Sequence, residues 1–268
     1  MTALLLEPIW TAAAAIGVCV FLLWLLSLRL EDVSIVDIFW SLGFVIAAWI
    51  YRQHGPDASP RHLLPLVLVT VWGLRLALHI GWRSRGKEED YRYRSMREKV
   101  GPIFKWRSLF TVFILQGVLI LIISAPHLVL QTAPLDDAWQ WTDLVGLILF
   151  AIGFFFEAVG DWQLSRFKAN PANKGKVLDT GLWRYTRHPN YFGDAMVWWG
   201  FFFFALGAPG GIWTLFAPIF MNLLLLKVSG VALLEKTISE RRPKYRDYVE
   251  RTNAFIPWFP KAPAESGR

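Results

Sequence analysis

The stretch PIWTAAAAIGVCVFLLWLLSL, from Pro8 to Leu28, runs for twenty-one residues without a charged side chain. A helix needs about 20 apolar residues to cross about 30 Å of hydrocarbon, so this stretch predicts a membrane span. It lacks the basic start and the small-residue cleavage pattern of a secretory signal. We therefore expect it to remain in the mature protein.

Six further apolar runs follow, and the set predicts an all-α, polytopic integral membrane protein with about seven transmembrane helices. The chain is 54% hydrophobic, which exceeds the share typical of a soluble domain. Its apolar runs are too long and unbroken for the strands of a membrane barrel. The predicted spans are Pro8–Leu28, Val33–Tyr51, Leu63–Trp82, Ser108–His127, Trp141–Gly160, Phe192–Ala208 and Gly211–Leu234.

Lysine and arginine gather in three polar segments between these runs. Residues 82–107 hold nine, residues 161–189 hold six and residues 235–268 hold eight, which with Arg29 makes twenty-four of twenty-eight. Because short cytoplasmic loops carry the excess of basic residues, we expect the amino terminus outside, the carboxyl terminus in the cytoplasm and Arg61 in an outer loop. This distribution also accounts for the net charge of +7, so we expect no nucleic-acid partner.

Cysteine content and chain continuity limit the architecture further. The single Cys19 lies inside the first span, so neither a disulfide framework nor a cysteine metal site is available, and we predict no metal. The sequence has no internal repeat and no long linker. One membrane domain over residues 1–268 is the simplest organisation, and the sequence does not indicate an oligomeric state.

The richest polar segment covers residues 160–200, GDWQLSRFKANPANKGKVLDTGLWRYTRHPNYFGDAMVWWG. It joins two predicted spans and holds a cluster of cations together with Asp161 and Asp194. Arginine and lysine neutralise phosphates, so facing helix ends with these groups predict a pocket for an anionic, hydrogen-bonding ligand. The alternative is that the cations are ordinary residues of a cytoplasmic loop.

Asp194 opens the apolar run AMVWWGFFFF, where a carboxylate is costly unless it has a partner or a function. Asn190 lies four residues earlier, hence on the same helical face, and an amide with a carboxylate suits a carboxamide-like group. His188 precedes Pro189 and is either a base or a hydrogen-bonding residue at a helix start, the second reading being favoured.

These residues carry a family resemblance. Residues 161–194, above all GLWRYTRHPNYFGD at 181–194, resemble the cofactor segment of the steroid 5-alpha-reductase family and its bacterial relatives. The tail LEKTISERRPKYRDYVERTNAFIP, residues 234–257, resembles the family ending, in which tyrosines three apart precede an Ile-Pro turn. The isoprenylcysteine carboxyl methyltransferases show a similar RHP-x-Y segment and tail but use S-adenosylmethionine.

The reductase resemblance implies an enzyme that uses NADPH to add hydride to a carbon-carbon double bond conjugated with a carbonyl. The implied substrate is lipophilic, such as a 3-oxo-4-ene steroid or another enone or enoyl lipid. Residues 1–135 would be mainly substrate-side helices and residues 136–268 mainly cofactor-binding, in the inner membrane if the source is a bacterium. The implied cofactor residues are Asp161, Arg166, Lys168, Lys174, Lys176, Arg184, Tyr185, Arg187, His188, Asn190, Tyr191, Asp194, Glu235, Tyr245 and Tyr248.

The cluster of cations supports NADPH over NADH independently of the resemblance. The 2′-phosphate, which only NADPH carries, requires several cations. No G-x-G-x-x-G fingerprint is present, so the site would not be a Rossmann domain. The alternatives are a methyltransferase that uses S-adenosylmethionine and a non-catalytic protein that binds membrane lipid or a partner.

The substrate end rests on Asp37 in the second predicted span, since an intramembrane acid is a functional candidate. The resemblance implies an acid there and a tyrosine near the third span that hold the substrate carbonyl, and Tyr91 or Tyr93 is the candidate tyrosine. The predicted catalytic residues are thus Asp37, Tyr91, Tyr93 and Asp194. A phenol or a protonated acid would stabilise the developing enolate, an effect often worth about 3 kcal/mol per donor.

Overall fold

The computed structural model describes residues 2–228 and 244–261, and within these ranges the chain is helical and contains no strand. This confirms the predicted all-α, polytopic membrane architecture. Five helices are long and apolar enough to cross a membrane. They are Leu6–Leu30, Ile35–Gln53, Pro60–Ser84, Tyr91–Ile123 and Trp141–Ala169.

The two remaining predicted spans also fall on helical chain. The sixth corresponds to a helix at Pro189–Leu206, and the seventh to a shorter apolar helical segment at Gly211–Lys227. The last residues of the seventh predicted span lie outside the described residues. The α-helices are α1 Thr2–Leu30, α2 Ile35–Gln53, α3 Pro60–Ser84, α4 Tyr91–Val100, α5 Phe104–Ser108, α6 Leu115–Ile123, α7 Ala125–Thr132, α8 Trp141–Ala169, α9 Pro189–Leu206, α10 Phe216–Leu223 and α11 Lys244–Arg251.

Several short helical turns connect these elements. Leu109–Ile114 is a π-helical turn that joins α5 to α6, and Leu224–Val228 is a second one after α10. The described 3-10 turns are Gly101–Ile103, Pro171–Asn173, Gly181–Arg184 and Gly211–Leu215.

The chain forms two compact units. The first comprises Met1–Asp143 with Phe204–Ala217, and the second comprises Leu144–Phe203 with Pro218–Arg268. The prediction that the chain is one membrane domain stays a prediction.

Close packing of α2 against α3 organises the first unit. The Ser41 hydroxyl donates a 2.8 Å hydrogen bond to the Gly73 carbonyl. A Cβ atom at Gly73 would lie 2.5 Å from the Val45 side chain and 3.0 Å from the Ser41 carbonyl oxygen. Small residues let helix backbones approach closely where no water drives association, and here the contact buries Phe44 and Trp72 completely.

A buried ion pair also lies within the first unit. Arg61 Nε lies 2.7 Å from Asp143 Oδ2, and the two side chains are 1% and 2% exposed. Arg61 Nη2 also donates to the Gly207 carbonyl at 3.3 Å, and the Gln140 N–H donates to Asp143 at 2.8 Å. Arg61, which we predicted to lie in a loop, therefore lies in the first turn of α3. Ser59, which precedes Pro60, is the N-cap of this helix, and its N–H donates to His62 Nδ1 at 3.0 Å. The helix therefore starts earlier than the apolar run.

Glycines set the distance between α8 and α9 in the second unit. A Cβ atom at Gly153 would lie 2.5 Å from the Gly193 carbonyl oxygen, and one at Gly200 would lie 2.8 Å from the Gly146 carbonyl oxygen. The two contacts are seven residues apart on each helix, and their order shows that α8 and α9 are antiparallel. The end of α8 is therefore held beside the start of α9, where the candidate site lies.

Candidate functional site

The end of α8 and the start of α9 bring an acid and an amide together within the second unit. Asn190 Nδ2 donates a 3.1 Å hydrogen bond to Asp161 Oδ1, and the Asp161 side chain is 4% exposed. The helices meet closely there, since a Cβ atom at Gly160 would lie 3.1 Å from the ring of Pro189. This contact orients the Asn190 amide.

Three further predicted site residues lie within four residues of Asn190 along the chain. His188 is buried, and its ring stacks on Tyr191 with the centroids 5.5 Å apart and the planes inclined by 7°. Asp194 is half-buried and lies one helical turn beyond Asn190. The start of α9 therefore presents an amide, a carboxylate and a stacked ring pair along a short stretch of helix, which suits recognition of a flat polar group.

The segment between α8 and α9 is fixed onto the end of α8. The Leu182 N–H donates to Gln163 Oε1 at 3.0 Å, and Trp183 Nε1 donates to the Gly160 carbonyl at 3.1 Å. Gly181 turns the chain with a φ of +62°, a conformation that favours glycine. These contacts place Arg184 and Tyr185, both exposed, beside the end of α8.

Helix α11 and the residues after it pack on this segment. The Tyr248 hydroxyl donates to the Trp183 carbonyl. Arg187 Nη1 donates to the carbonyls of Val249, at 2.9 Å, and Thr252, and the Arg187 N–H donates to the Asn253 carbonyl at 2.9 Å. Arg187 is 8% exposed, so these contacts assign it a structural role in joining the two segments.

Two tyrosines of α11 are buried against each other. Tyr245 and Tyr248 are 6% and 2% exposed, and their rings make an edge contact with the centroids 5.7 Å apart. Burial raises the pKa of the Tyr248 phenol above its usual value. Its hydroxyl therefore stays protonated at neutral pH and acts as a donor. Glu235, the remaining predicted residue of this tail, lies outside the described residues.

Cations line three adjoining cavities of the second unit, with volumes of about 480, 350 and 450 Å³. The first and second share Thr180 and Gly181, and the first and third share Asp179 and Arg251. The acidic side chains that line them are Asp179 and Asp247. The cations that line them are Arg166, Lys174, Lys176, Arg184, Arg251 and Lys261.

Sequence reasoning missed two of these cations. Arg251 closes α11 and forms an ion pair with Asp179 at 3.1 Å, and the Lys261 N–H donates to the Arg251 carbonyl at 2.9 Å. Within the quoted motif of residues 234–257 nothing distinguishes Arg251 from the other cations, and Lys261 lies beyond that motif, so only the folded chain shows that both reach the cavities. Lys168, which we predicted with the others, is exposed at the end of α8 and is not among the lining residues.

A second polar group, the Asp37 cluster of Asp37, Asp90, Arg92, Tyr93 and Gln116, lies in the first unit. Asp37 Oδ1 accepts from the Tyr93 hydroxyl at 2.7 Å, and its Oδ2 accepts from Arg92 Nη2 at 2.8 Å. Gln116 Nε2 donates to the Tyr93 hydroxyl at 3.3 Å. The carboxylate is therefore an acceptor in both contacts.

The two candidate tyrosines differ in position. We predicted that both lie in a polar loop, but they lie in the first turn of helix α4. This helix begins after Asp90, whose side chain accepts from the Arg92 N–H at 3.0 Å. Burial alone would raise the pKa of Asp90, yet hydrogen bonds from Arg92 outweigh burial and hold that pKa below its usual value. Tyr93 is 8% exposed and contacts Asp37, whereas Tyr91 is 42% exposed.

Metal ligation has no candidate in the described ranges. Residues 2–228 and 244–261 contain no group of three or more His, Cys, Asp and Glu side chains placed to hold a metal ion.

Comparison with known proteins gives one match along most of the chain and one short match. The chain is 27% identical over 265 residues to an uncharacterised protein of Schizosaccharomyces pombe, covering 88% of this chain and 75% of that one. A 46-residue stretch is 48% identical to the "Probable O-methyltransferase ustE" of Ustilaginoidea virens, covering 17% of this chain and 16% of that one. No solved structure matches. Residues 23–252 match a family model over most of the chain, so the protein belongs to the family described as "Protein of unknown function (DUF1295)".

Proposed function

We propose that this protein is an NADPH-dependent membrane oxidoreductase that reduces a carbon-carbon double bond conjugated to a carbonyl in a lipophilic substrate. The observation that carries the proposal is the basic lining of the three adjoining cavities in the second unit. Six cations line them against two acids, Asp179 and Asp247.

The charge of the lining distinguishes the candidate cofactors. NADPH carries about four negative charges on its phosphates at neutral pH, and arginine and lysine are the usual partners of such groups. S-adenosylmethionine carries a sulfonium and an ammonium against one carboxylate, so a basic lining would repel two of its three charges. The residues present therefore fit NADPH, with Arg166, Lys174, Lys176 and Arg184 as phosphate partners.

The start of α9 suits the other end of this cofactor. Asn190 and Asp194 lie one turn apart, and Asp161 orients the Asn190 amide at 3.1 Å. An amide donor and a carboxylate acceptor together match a carboxamide group. Bound NADPH supplies hydride to an electron-poor carbon, and these side chains would hold the ring that carries it. Asp161 acts on the cofactor through Asn190 and is a positioning residue.

The Asp37 cluster is the candidate for substrate activation. The Tyr93 hydroxyl is aligned by Asp37 and Gln116, at 2.7 and 3.3 Å. The single proton of this phenol lies on the bond to Asp37, and when substrate binds the hydroxyl would turn from Asp37 to donate that proton's hydrogen bond to the carbonyl oxygen and stabilise the enolate that forms, an effect often worth about 3 kcal/mol. Asp37 then serves as the acceptor that holds the phenol in place before substrate binds, and Arg92 balances its charge at 2.8 Å.

A second candidate is a membrane methyltransferase that uses S-adenosylmethionine. The 46-residue likeness to the protein named "Probable O-methyltransferase ustE" favours it. It covers 17% of this chain, whereas the basic cavities are built from two separate segments, residues 162–184 and 247–261. We therefore rank it second.

Cofactor binding separates the two candidates. The purified protein in detergent is titrated with NADPH, NADH and S-adenosylmethionine at low salt, where charge effects are least screened. We expect NADPH to bind at least about tenfold more tightly than NADH, a difference of about 1.4 kcal/mol. The double variant Lys174→Gln, Lys176→Gln should lose much of this preference, while Lys87→Gln, an exposed lysine of the first unit, should keep it.

Two outcomes would count against the proposal. Equal affinities for NADPH and NADH would exclude a 2′-phosphate site. Tight binding of S-adenosylmethionine without binding of NADPH would establish the methyltransferase candidate instead.

A further inference from the structure

The last described residues expose large apolar side chains on an ordered backbone. In residues 255–261, here called the tail segment, Ile256, Trp258 and Phe259 are 66%, 67% and 75% exposed. The backbone beside them is fixed, because the Trp258 N–H donates to the Tyr185 carbonyl at 2.9 Å and the Lys261 N–H donates to the Arg251 carbonyl at 2.9 Å. Contiguous exposed apolar groups on a fixed segment mark an interaction surface.

The tail segment lies next to the end of a membrane span. Tyr185, which holds Trp258, follows Leu182 and Trp183, and these two residues bind α8 at Gln163 and Gly160. There the apolar run of α8 gives way to Asp161. The Phe255 ring also contacts Phe192 near the start of α9, with the centroids 6.0 Å apart. The exposed side chains are therefore attached beside the part of α8 where apolar residues give way to polar ones.

Cations border the same surface. Lys261 closes the tail segment and lines a cavity with Arg184 and Arg251. The Tyr185 ring contacts Phe259 with the centroids 6.0 Å apart, which extends the aromatic surface toward Arg184. Tryptophan and other aromatic rings favour the headgroup region of a bilayer, and basic residues beside them are attracted to anionic lipids.

We propose that the tail segment docks on the anionic lipid surface of the leaflet that the carboxyl-terminal end of α8 reaches. Ile256, Trp258 and Phe259 enter the headgroup region, and Lys261 contacts lipid phosphates. The segment thereby fixes residues 182–187 at the membrane surface. The partner is a bilayer that contains anionic lipid, and the charge of the bordering cations selects it over a neutral one.

Site-directed fluorescence on the full chain tests this surface. In a Cys19→Ser background, Phe259→Cys carries an environment-sensitive fluorophore, and Ala172→Cys, in an exposed turn of the same unit, serves as the matched control. The proteins are placed in nanodiscs of phosphatidylcholine, with or without phosphatidylglycerol. With phosphatidylglycerol, we expect a lipid-attached quencher to act at least about threefold more strongly on position 259 than on position 172. Lys261→Glu should reduce this difference.

Three results would overturn the proposal. The first is equal quenching of the labels at positions 259 and 172 by a water-soluble quencher. The second is that the label at position 259 is equally protected from this quencher with and without phosphatidylglycerol, which would show that anionic lipid is not the partner. The third is protection in detergent that grows with protein concentration, which would indicate a second copy. Trp258→Cys provides a second label position if Phe259→Cys does not fold, and no readout depends on cofactor binding or turnover.

Discussion

The Tyr93 hydroxyl donates a 2.7 Å hydrogen bond to Asp37 Oδ1 across fifty-six residues of sequence. This contact separates two tyrosines that the sequence leaves equivalent, because Tyr91 is 42% exposed and Tyr93 is buried. Under the proposed function, Tyr93 is therefore the phenol assigned to the substrate carbonyl, and its hydrogen bond to Asp37 gives way when substrate binds.

Tyr93→Phe should therefore lower turnover of an enone lipid by about tenfold to a hundredfold, or about 1.4 to 2.8 kcal/mol, through loss of one donor. Tyr91→Phe is the matched control and should remain close to wild type. Single-turnover assays on both variants, with NADPH affinity measured on the same preparations, check this. Equal losses in the two variants would remove Tyr93 from the carbonyl site.

Asp194→Asn tests the start of α9. The change keeps size and most hydrogen bonds but removes the charge of a half-buried carboxylate one turn beyond Asn190. If Asp194 orients the nicotinamide end, turnover should fall about tenfold to a thousandfold, or about 1.4 to 4 kcal/mol, while NADPH affinity falls much less. An acid with a purely structural role would instead lower the melting temperature and leave turnover per folded molecule unchanged.

The buried pair of Arg61 and Asp143 should matter for stability and not for cofactor binding. Removing one partner, as in Arg61→Ala, leaves a buried charge and should cost about 3–5 kcal/mol of unfolding free energy. The double variant Arg61→Met, Asp143→Leu should recover much of this loss, because it removes both charges and fills the space. Thermal unfolding in detergent measures both. A double variant no more stable than Arg61→Ala would show that the carbonyl and amide contacts of the pair dominate.

Alkaline pH should weaken the attachment of α11 through Tyr248. Its folded-state pKa is raised by burial above the usual value of about 10, so the folded state binds the proton more tightly than the unfolded state. The resulting stability is present below about pH 10 and is lost as the pH rises further. Tyr248→Phe should lose about 1 kcal/mol at neutral pH and show a shallower alkaline fall in melting temperature. Tyr185→Phe, which changes an exposed phenol, should keep the wild-type slope.

Reporter fusions test the orientation that the basic residues predict. A dual reporter fused after Asp57 should report the outer side, and fusions after Arg85 and Arg268 should report the cytoplasm. The outer fusion point precedes α3 because Arg61, the cation expected in that loop, is buried in the first turn of the helix. Asp57 and Arg268 on the same side would contradict the predicted orientation.

The sequence by itself determined that this is a helical membrane protein. A bilayer requires long apolar runs with internally satisfied backbone groups, and that requirement is local in the chain. The run at Pro8–Leu28 therefore needed no tertiary information, and α1 includes all of it. Local signals were weaker at element ends. A search for apolar runs does not detect the polar helix α4, and it does not show that α3 begins after Ser59.

Only the tertiary structure decided which side chains meet. Asp161 and Asn190 are twenty-nine residues apart and touch because the glycines of α8 and α9 let the two backbones approach. Arg251 and Lys261 join the basic cavities because the chain folds back after α11, which no local pattern encodes. Contacts of this kind depend on helix separation and chain path, and these are properties of packing between distant segments.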